Sequence, residues 1–463
     1  MTLLVRGADV DGHRVDVRLA RGCVAEVAPA LPRAPGEEVL DAAGGALLPG
    51  LTDHHLHLHA LAAAQRSVAC GPPAVHDASA LVAALGAARD DEHGWVRGIG
   101  YAERVAGDLD AAGLDRLHAR RPVRLQHRSG ALWIVNSRAA AALGLADADH
   151  PGVERDTAGT PTGRLWRADD WLRSRLPRTR PPDLREVGRT LLRSGVTAVT
   201  DATPDLDAGA LGALAGAVAG GALPQRLHLL GLPLGTHVPD GITAGPYKIV
   251  LADSGLPTFD DLVDRIRAAH AHGRGVAVHC VTREALVLLL GALEEAGPHP
   301  QDRIEHAALV PAELIAELAR RRLRVVTQPG FLAHRGDDYL RDVPRADQPD
   351  LYRCATLVDA GVPVALSTDA PYGPVDPWAA VTAAVTRTTP DGRVVGAAER
   401  LPPAAALAGF LAGPEDPGGP PTRVRPGVAA DLVLLHAPLA EVLRSPSADA
   451  VRAVVRAGVI VLP

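Results

Sequence analysis

The stretch LLPGLTDHHLHLH at residues 47–59 runs an apolar segment straight into four histidines. Side chains on a strand alternate between faces, so His55 and His57 point the same way and can chelate one ion, while His54 faces oppositely. His59 continues the face of His55 and His57 beyond the expected strand end. By contrast, His270 and His272 in AHAHG sit late in an expected helix, where two residues mean about 200° of rotation. Those two cannot share an ion and read as solvated.

Outward from that stretch, seven further apolar segments have the length and composition of buried strands: VTAVTD (196–201), RLHLLG (226–231), YKIVLA (247–252), VAVHC (276–280), RIEHAAL (303–309), RVVTQP (324–329) and VPVALSTD (362–369). Helical patterns alternate with them. One opens at Thr258 with Asp261 three residues on, as in a capping box, and another carries Pro311 in its first turn. Eight strands alternating with helices predict a distorted (β/α)8 TIM-like barrel over residues 47–415. The long gap after the first strand predicts an inserted subdomain at about 65–180. Its most legible part, RPVRLQHRSGALWIVNSRAAAALGL (121–145), reads as strand, turn and helix able to cover the barrel mouth. Residues 232–246 show no helix. Residues 1–46 alternate in short strands with glycine turns, and residues 420–463 do the same after a Pro/Gly-rich stretch. The two ends are therefore expected to share a small composite β-sandwich.

The 463 residues are 47% apolar and 22% charged, which is ordinary for a soluble globular chain and excludes disorder, collagen and coiled coil. A net charge of -6, with arginine spread along the chain, leaves no basic stripe for nucleic acid or an anionic membrane. No apolar run reaches the roughly 20 residues of a membrane span, and MTLLVRGADV lacks the regions of a secretory leader, so the cytoplasm is the expected location. The four cysteines, Cys23, Cys70, Cys280 and Cys354, are far apart and form no C-x-x-C pair, which fits reduced thiols. Any metal must find other ligands. The expected partner is a small-molecule substrate, with no nucleic acid and no membrane, and a homodimer is the commonest closed assembly.

Of 48 lysines plus arginines, Lys248 is the single lysine. Arginine stays protonated at any working pH, whereas a buried lysine amine can lose its proton and act as a nucleophile or be carbamylated by carbon dioxide. His279 in VAVHC, His306 in RIEHA and Asp369 in ALSTD stand near the C-terminal ends of their expected strands, where barrel enzymes keep catalytic groups. With His55, His57 and Lys248 they place nitrogen and oxygen donors on one end of five strands, a set suited to zinc, iron or manganese. Asp253, just after the Lys248 strand, reads as a cap for the next helix.

PGLTDHHLH (49–57) resembles the opening of the amidohydrolase superfamily, and the later strand-end Lys, His, His and Asp match its remaining ligands in order. The likeness spans nearly the whole chain. GVERDTAGTPTGRL (152–165), YKIVLADSG (247–255), DRIEHAALV (302–310) and STDAPYGPVDP (367–377) look like the subgroup that includes N-substituted formamide deformylases. The resemblance implies that His55, His57 and Asp369 hold one divalent ion, that His279 and His306 hold another, and that carbamylated Lys248 bridges them. Two zinc ions are expected, with iron or manganese as alternatives. Such a pair lowers the pKa of a shared water and polarises the substrate carbonyl, and Asp369 serves as general base and then acid.

The activity so implied is hydrolysis of a non-peptide carbon-nitrogen bond in a linear amide, such as an N-formyl or N-acyl amine. Hydrolysis of a cyclic amide or a lactone is the alternative, and a non-catalytic metal-binding scaffold is disfavoured by the complete ligand set. A deaminase would lack the bridging lysine and place a glutamate near the fifth-strand histidine, but Glu284 stands five residues past His279. Sequences of this kind carry Gly-His in the inserted strand where this chain has Gly130 and Ala131, which makes His127 the candidate to touch the substrate carbonyl. Trp133, Phe331 and Tyr372 are the candidates to line a partly apolar substrate pocket, in a chain with five Trp, five Tyr and three Phe.

Overall fold

The computed structural model describes residues 2–177, 182–252 and 255–462. Asp253 lies outside the described residues. Eight short parallel strands occupy the positions read from the sequence: β1 (Leu51–Leu56), β2 (Val196–Asp201), β3 (Arg226–Leu229), β4 (Tyr247–Val250), β5 (Val276–Cys280), β6 (Arg303–His306), β7 (Arg324–Thr327) and β8 (Val364–Leu366). β1, β2 and β3 lie side by side in one sheet, and β4 to β8 follow in chain order in another. The connection without an expected helix holds a further short strand, Ile242–Ala244, parallel to β3. Main-chain hydrogen bonds join the two sheets at both junctions. Lys248 donates to the Leu230 carbonyl at 3.1 Å, and on the other side Asp369 donates to His55 at 2.8 Å and His57 to Ala370 at 2.9 Å.

Most residues of these strands are buried, because their outer side chains pack on helices. Ile249, Val278, Ile304 and Val325 meet Leu262, Ile266, Leu286 and Leu289 in one apolar core, each side chain contributing about 1.5–3 kcal/mol by leaving water. Leu262 and Ile266 belong to α2 (Phe259–Ala271), which follows α1 (Leu58–Gln65) in our numbering and precedes α3 (Gly330–Asp342). The start of α2 is set by Thr258, whose hydroxyl accepts the Asp261 N–H at 3.2 Å and donates to its carboxylate at 2.6 Å.

The chain termini build two four-stranded sheets. One runs Cys23–Ala28, His13–Ala20, Thr2–Val10, Glu38–Asp41, and the other Val459–Leu462, Val451–Arg456, Leu432–Leu435, Leu47–Pro49. Leu3, Val5, Val17 and Leu19 share a core with Leu432, Leu434 and Val455. All of this belongs to one compact unit, Met1–Leu58 with Asp183–Pro463, and His59–Pro182 forms a second. The second unit has its own six-stranded sheet and apolar cores. Among the described residues no helix is long and apolar enough to cross a membrane.

Candidate metal centre

β1 is irregular where it matters. Between Asp53 and Leu56 it takes three steps against the two from Val199 to Asp201 on β2, a bulge that re-aims side chains. Strict alternation therefore does not by itself decide where His54 points. His54 is wholly buried, and both Arg303 and Glu305 act on its charge. His59 lies past the strand, on α1. Asp53 holds β1 to the turn after β8. Its carboxylate accepts the N–H groups of His55 and Thr368, both at 3.2 Å, together with the Thr368 hydroxyl.

Around Asp369 the expected ligands converge. One donor atom each from His55, His306 and Asp369 lies within 4.8 Å of the others. Asp369 Oδ1 is 3.2 Å from His57 Nε2 and 3.6 Å from His55 Nε2, and Oδ2 is 3.8 Å from His306 Nδ1. The rings of His279 and His306 are 4.4 Å apart, those of His55 and His306 4.8 Å, and those of His55 and His57 5.4 Å. The group of His55, His306 and Asp369 thus crosses the two ligand sets that the sequence resemblance implied. Lys248, 3% exposed, is acted on by the charges of Glu305 and Asp369, and burial pushes its ammonium below the ordinary amine range.

These residues fit a metal ion. Burial first, and then neighbouring cations, hold His55 and His306 well below the ordinary imidazole range, so both are neutral and keep a lone pair to donate. Among the described residues Asp369 Oδ1 is buried without a hydrogen-bond partner. The set is imidazole and carboxylate without thiolate, the donor chemistry of zinc, iron or manganese. Two of the candidate ligand positions adopt left-handed backbone, with φ of 73° at His306 and 52° at Asp369. Such positions cost about 1–3 kcal/mol each and persist only where the surroundings over-determine them. Here His306 Nδ1 meets Gln328 Oε1 at 2.8 Å, Gln328 Nε2 donates to Ser367 Oγ at 2.9 Å, and Asp369 N–H is held by His55.

Sequence reasoning missed Glu305 and Arg303. The Glu305 carboxylate accepts His55 Nδ1–H through Oε2 and Arg303 Nε–H through Oε1, and Arg303 also donates to the His54 carbonyl at 3.2 Å. A histidine whose Nδ1–H is committed in this way presents Nε2 as the ligand atom. The available signal was a pair of charges two residues apart, hence on one face, within the buried strand RIEH. Glu305→Ala is expected to weaken metal binding about 10–100-fold. It also leaves the buried Arg303 charge unpaired, at a cost of about 3–5 kcal/mol. Chelator competition reads the first effect and denaturant unfolding the second. Glu305→Gln should show a smaller loss in both.

The candidate substrate residues divide between the two units. Tyr372 sets its ring edge-on to His57 at 5.5 Å, and Phe331 is buried with Ala308, Leu351 and Tyr352. Within the inserted unit, His127 Nδ1 meets Ser129 Oγ at 2.7 Å and its Nε2 meets the Glu103 carboxylate at 3.2 Å. Gly130 and Ala131 form the turn between Val123–His127 and Leu132–Val135. Trp133 is 4% exposed in that unit's core and donates its indole N–H to Asp169 at 2.8 Å, so its ring is occupied by packing. His270, expected to be solvated, instead binds Asp302 at 2.9 Å and stacks on His299.

Buried titratable groups make stability pH-dependent. Burial lowers His54 and His228 to about 3 and raises Asp53 to about 6. Below about pH 6.5 the unfolded histidines take up protons that the native ones refuse, so each removes up to about 1.4 kcal/mol of stability per pH unit as pH falls. Asp53 acts with the opposite sign between about pH 6 and pH 4, because its native form binds the proton first. From these three groups, metal-free protein should lose about 1.4 kcal/mol per pH unit over that window. His55 and His306, depressed likewise, steepen the loss. Denaturant titrations at pH 6 and pH 4 check this, and equal stability at the two would contradict it.

Neutral buried imidazoles and a carboxylate gathered at the C-terminal ends of parallel strands form the kind of site a metal-dependent hydrolase uses. A family model described as the amidohydrolase family matches residues 38–462, and the chain belongs to that family. YtcJ of Bacillus subtilis (strain 168), described as an amidohydrolase, is 28% identical over 407 residues, covering 76% of this chain and 75% of that protein. N-substituted formamide deformylase of Arthrobacter pascens is 25% identical over 426 residues, covering 78% and 77%. Among solved structures, a metal-dependent hydrolase from Pyrococcus horikoshii OT3 superposes with a TM-score of 0.76 at 20% identity, over 94% of this chain and 97% of that one. N-isopropylammelide isopropylaminohydrolase from Burkholderia multivorans superposes with a TM-score of 0.55 at 18% identity, over 100% and 98%. At these identities both show the fold alone.

Proposed function

We propose that the protein hydrolyses the carbon-nitrogen bond of a linear amide, an N-formyl or N-acyl amine, at the site around Asp369. The two parallel sheets are read as one distorted (β/α)8 barrel, with the terminal sheets as its composite β-sandwich. The convergence of His55, His57 and His306 on the Asp369 carboxylate carries the reading, and the name of the Arthrobacter relative supports the bond type. His55, His57, His279, His306 and Asp369 would hold one or two divalent ions, zinc first. Lys248 would join them once its Nζ lone pair has attacked carbon dioxide and lost a proton, leaving a carbamate. When bound, the metal supplies an activated water and electrophilic help to the substrate carbonyl.

The protein's own part is orientation and proton handling. Glu305 and Gln328 fix the rings of His55 and His306. Asp369 Oδ1, beside His57 Nε2, accepts a proton from the attacking water and returns it to the leaving nitrogen. The carbon-nitrogen bond breaks, and a carboxylate and an amine leave. Metal-loaded protein should release benzylamine and formate from N-formylbenzylamine, and lose this activity when stripped by chelator. Turnover of hydantoin or δ-valerolactone with none of N-formylbenzylamine or N-acetylbenzylamine would move the assignment to the cyclic substrates. Turnover of none of the four would remove it.

A further inference from the structure

Four of the eight phenylalanine and tyrosine residues of this chain gather beside the metal centre. Phe331, Tyr339, Tyr352 and Tyr372 belong to one apolar cluster with Val281, Ala308 and Leu309, residues that directly follow β5 and β6. Tyr372 reaches His57. In the midst of this cluster stands a cation. α3 opens directly after β7 and is kinked at Arg335, whose backbone leaves helical geometry. The Arg335 guanidinium carbon sits 4.3 Å from the Phe331 ring centroid and 5.5 Å from that of Tyr339. Its Nε donates to the Tyr339 hydroxyl at 2.8 Å, and that hydroxyl is 3.1 Å from the Tyr352 hydroxyl.

Arg335 differs from the other substantially buried arginines of its unit. Arg303 and Arg353 are held by carboxylates, and Arg274 and Arg387 by backbone carbonyls. Among the described residues no carboxylate lies within ion-pair distance of Arg335, although its charge and that of Asp369 act on each other. With Nε taken by Tyr339 and one face stacked on Phe331, the guanidinium is oriented, and among the described residues its two terminal nitrogens meet no hydrogen-bond partner. That edge matches a planar carboxylate in a two-point contact. A guanidinium present only for packing would have no need of a tyrosine pair to aim it.

We propose that Arg335 anchors a substrate carboxylate, so that the preferred substrates are N-formyl or N-acyl amino acids with an apolar side chain lying on Tyr372. This rests on the hydrolase reading above and narrows it. The amide carbonyl reaches the metal centre while the carboxylate is held at Arg335. Tyr339 is a positioning residue, acting through the guanidinium.

The test pairs turnover with binding in metal-loaded protein. N-formyl-L-phenylalanine is compared with N-formylphenethylamine as substrates, and 3-phenylpropanoate with 3-phenylpropanamide as ligands that are not cleaved. Wild type should favour the acid of each pair. Arg335→Met, which keeps an apolar chain over Phe331, should weaken both acids about 10–100-fold, the range for losing a charged hydrogen-bonded contact. Both neutral compounds should stay unchanged. Arg335→Lys should recover only part of the loss, since an ammonium offers no planar fork, and Tyr339→Phe should weaken the acids by a smaller factor. Equal behaviour of acids and neutral compounds in wild type, or an unchanged acid preference in a folded Arg335→Met or Arg335→Lys protein, would overturn the proposal. If 3-phenylpropanoate binding depends on Arg335 while neither the formyl compounds nor the four substrates named above are cleaved, the anchor stands and the hydrolase reading fails.

Discussion

Asp369→Asn is expected to lower kcat by about three to four orders of magnitude, the upper end for losing a positioned proton acceptor, without unfolding the protein. Asparagine keeps the shape, and the main-chain bond from residue 369 to the His55 carbonyl does not involve the side chain. What disappears is the negative charge facing His55, His57 and His306 within 4 Å, and with it the oxygen able to take a proton from water. Metal content should fall as well, because an amide oxygen is a weaker ligand than a carboxylate. Steady-state kinetics with metal analysis on the same samples check this. A variant that keeps more than a tenth of wild-type turnover would remove Asp369 from the chemistry.

Lys248→Met carries the second large effect. Methionine fills much of the volume of the lysine stem, and among the described residues no carboxylate lies within ion-pair distance of Lys248, so the protein should still fold, which a melting curve checks. If the lysine bridges as a carbamate, metal content per chain should fall and turnover should drop below a hundredth of wild type. Lys248→Arg should fail in the same way, because a guanidinium does not shed its proton to react with carbon dioxide. Protein prepared with 13C-bicarbonate should show a carbamate resonance that both variants lack. Unchanged metal content in Lys248→Met would end the bridging assignment and leave the lone buried lysine without a role in the site.

The strands were legible because their signal is local. A run such as VAVHC or VTAVTD announces a buried strand by composition alone, and the candidate ligands His55, His279 and His306 stand within such runs or at their ends. Candidate ligands could be picked out too, since lysine survives at one position and histidines fall at strand ends. The helix start at Thr258 followed from two residues three apart.

Other features depend on contacts that no local pattern carries. The extra residue in β1 exists only relative to the register of β2, so alternation could not place His54. Glu305 meets His55 across 250 residues of sequence, and its value as a ligand-orienting group depends on Arg303 satisfying its other oxygen. Trp133 looks like any exposed aromatic candidate until the inserted unit closes around it. The open edge of Arg335 arises because a kink in α3, the Phe331 ring and the Tyr339–Tyr352 pair meet at one point. Residue type and local spacing therefore determined the class of chemistry and the strands that carry it. Only tertiary packing, by burying charges and aligning side chains distant in sequence, decided which groups are neutral, which are oriented and which face the substrate.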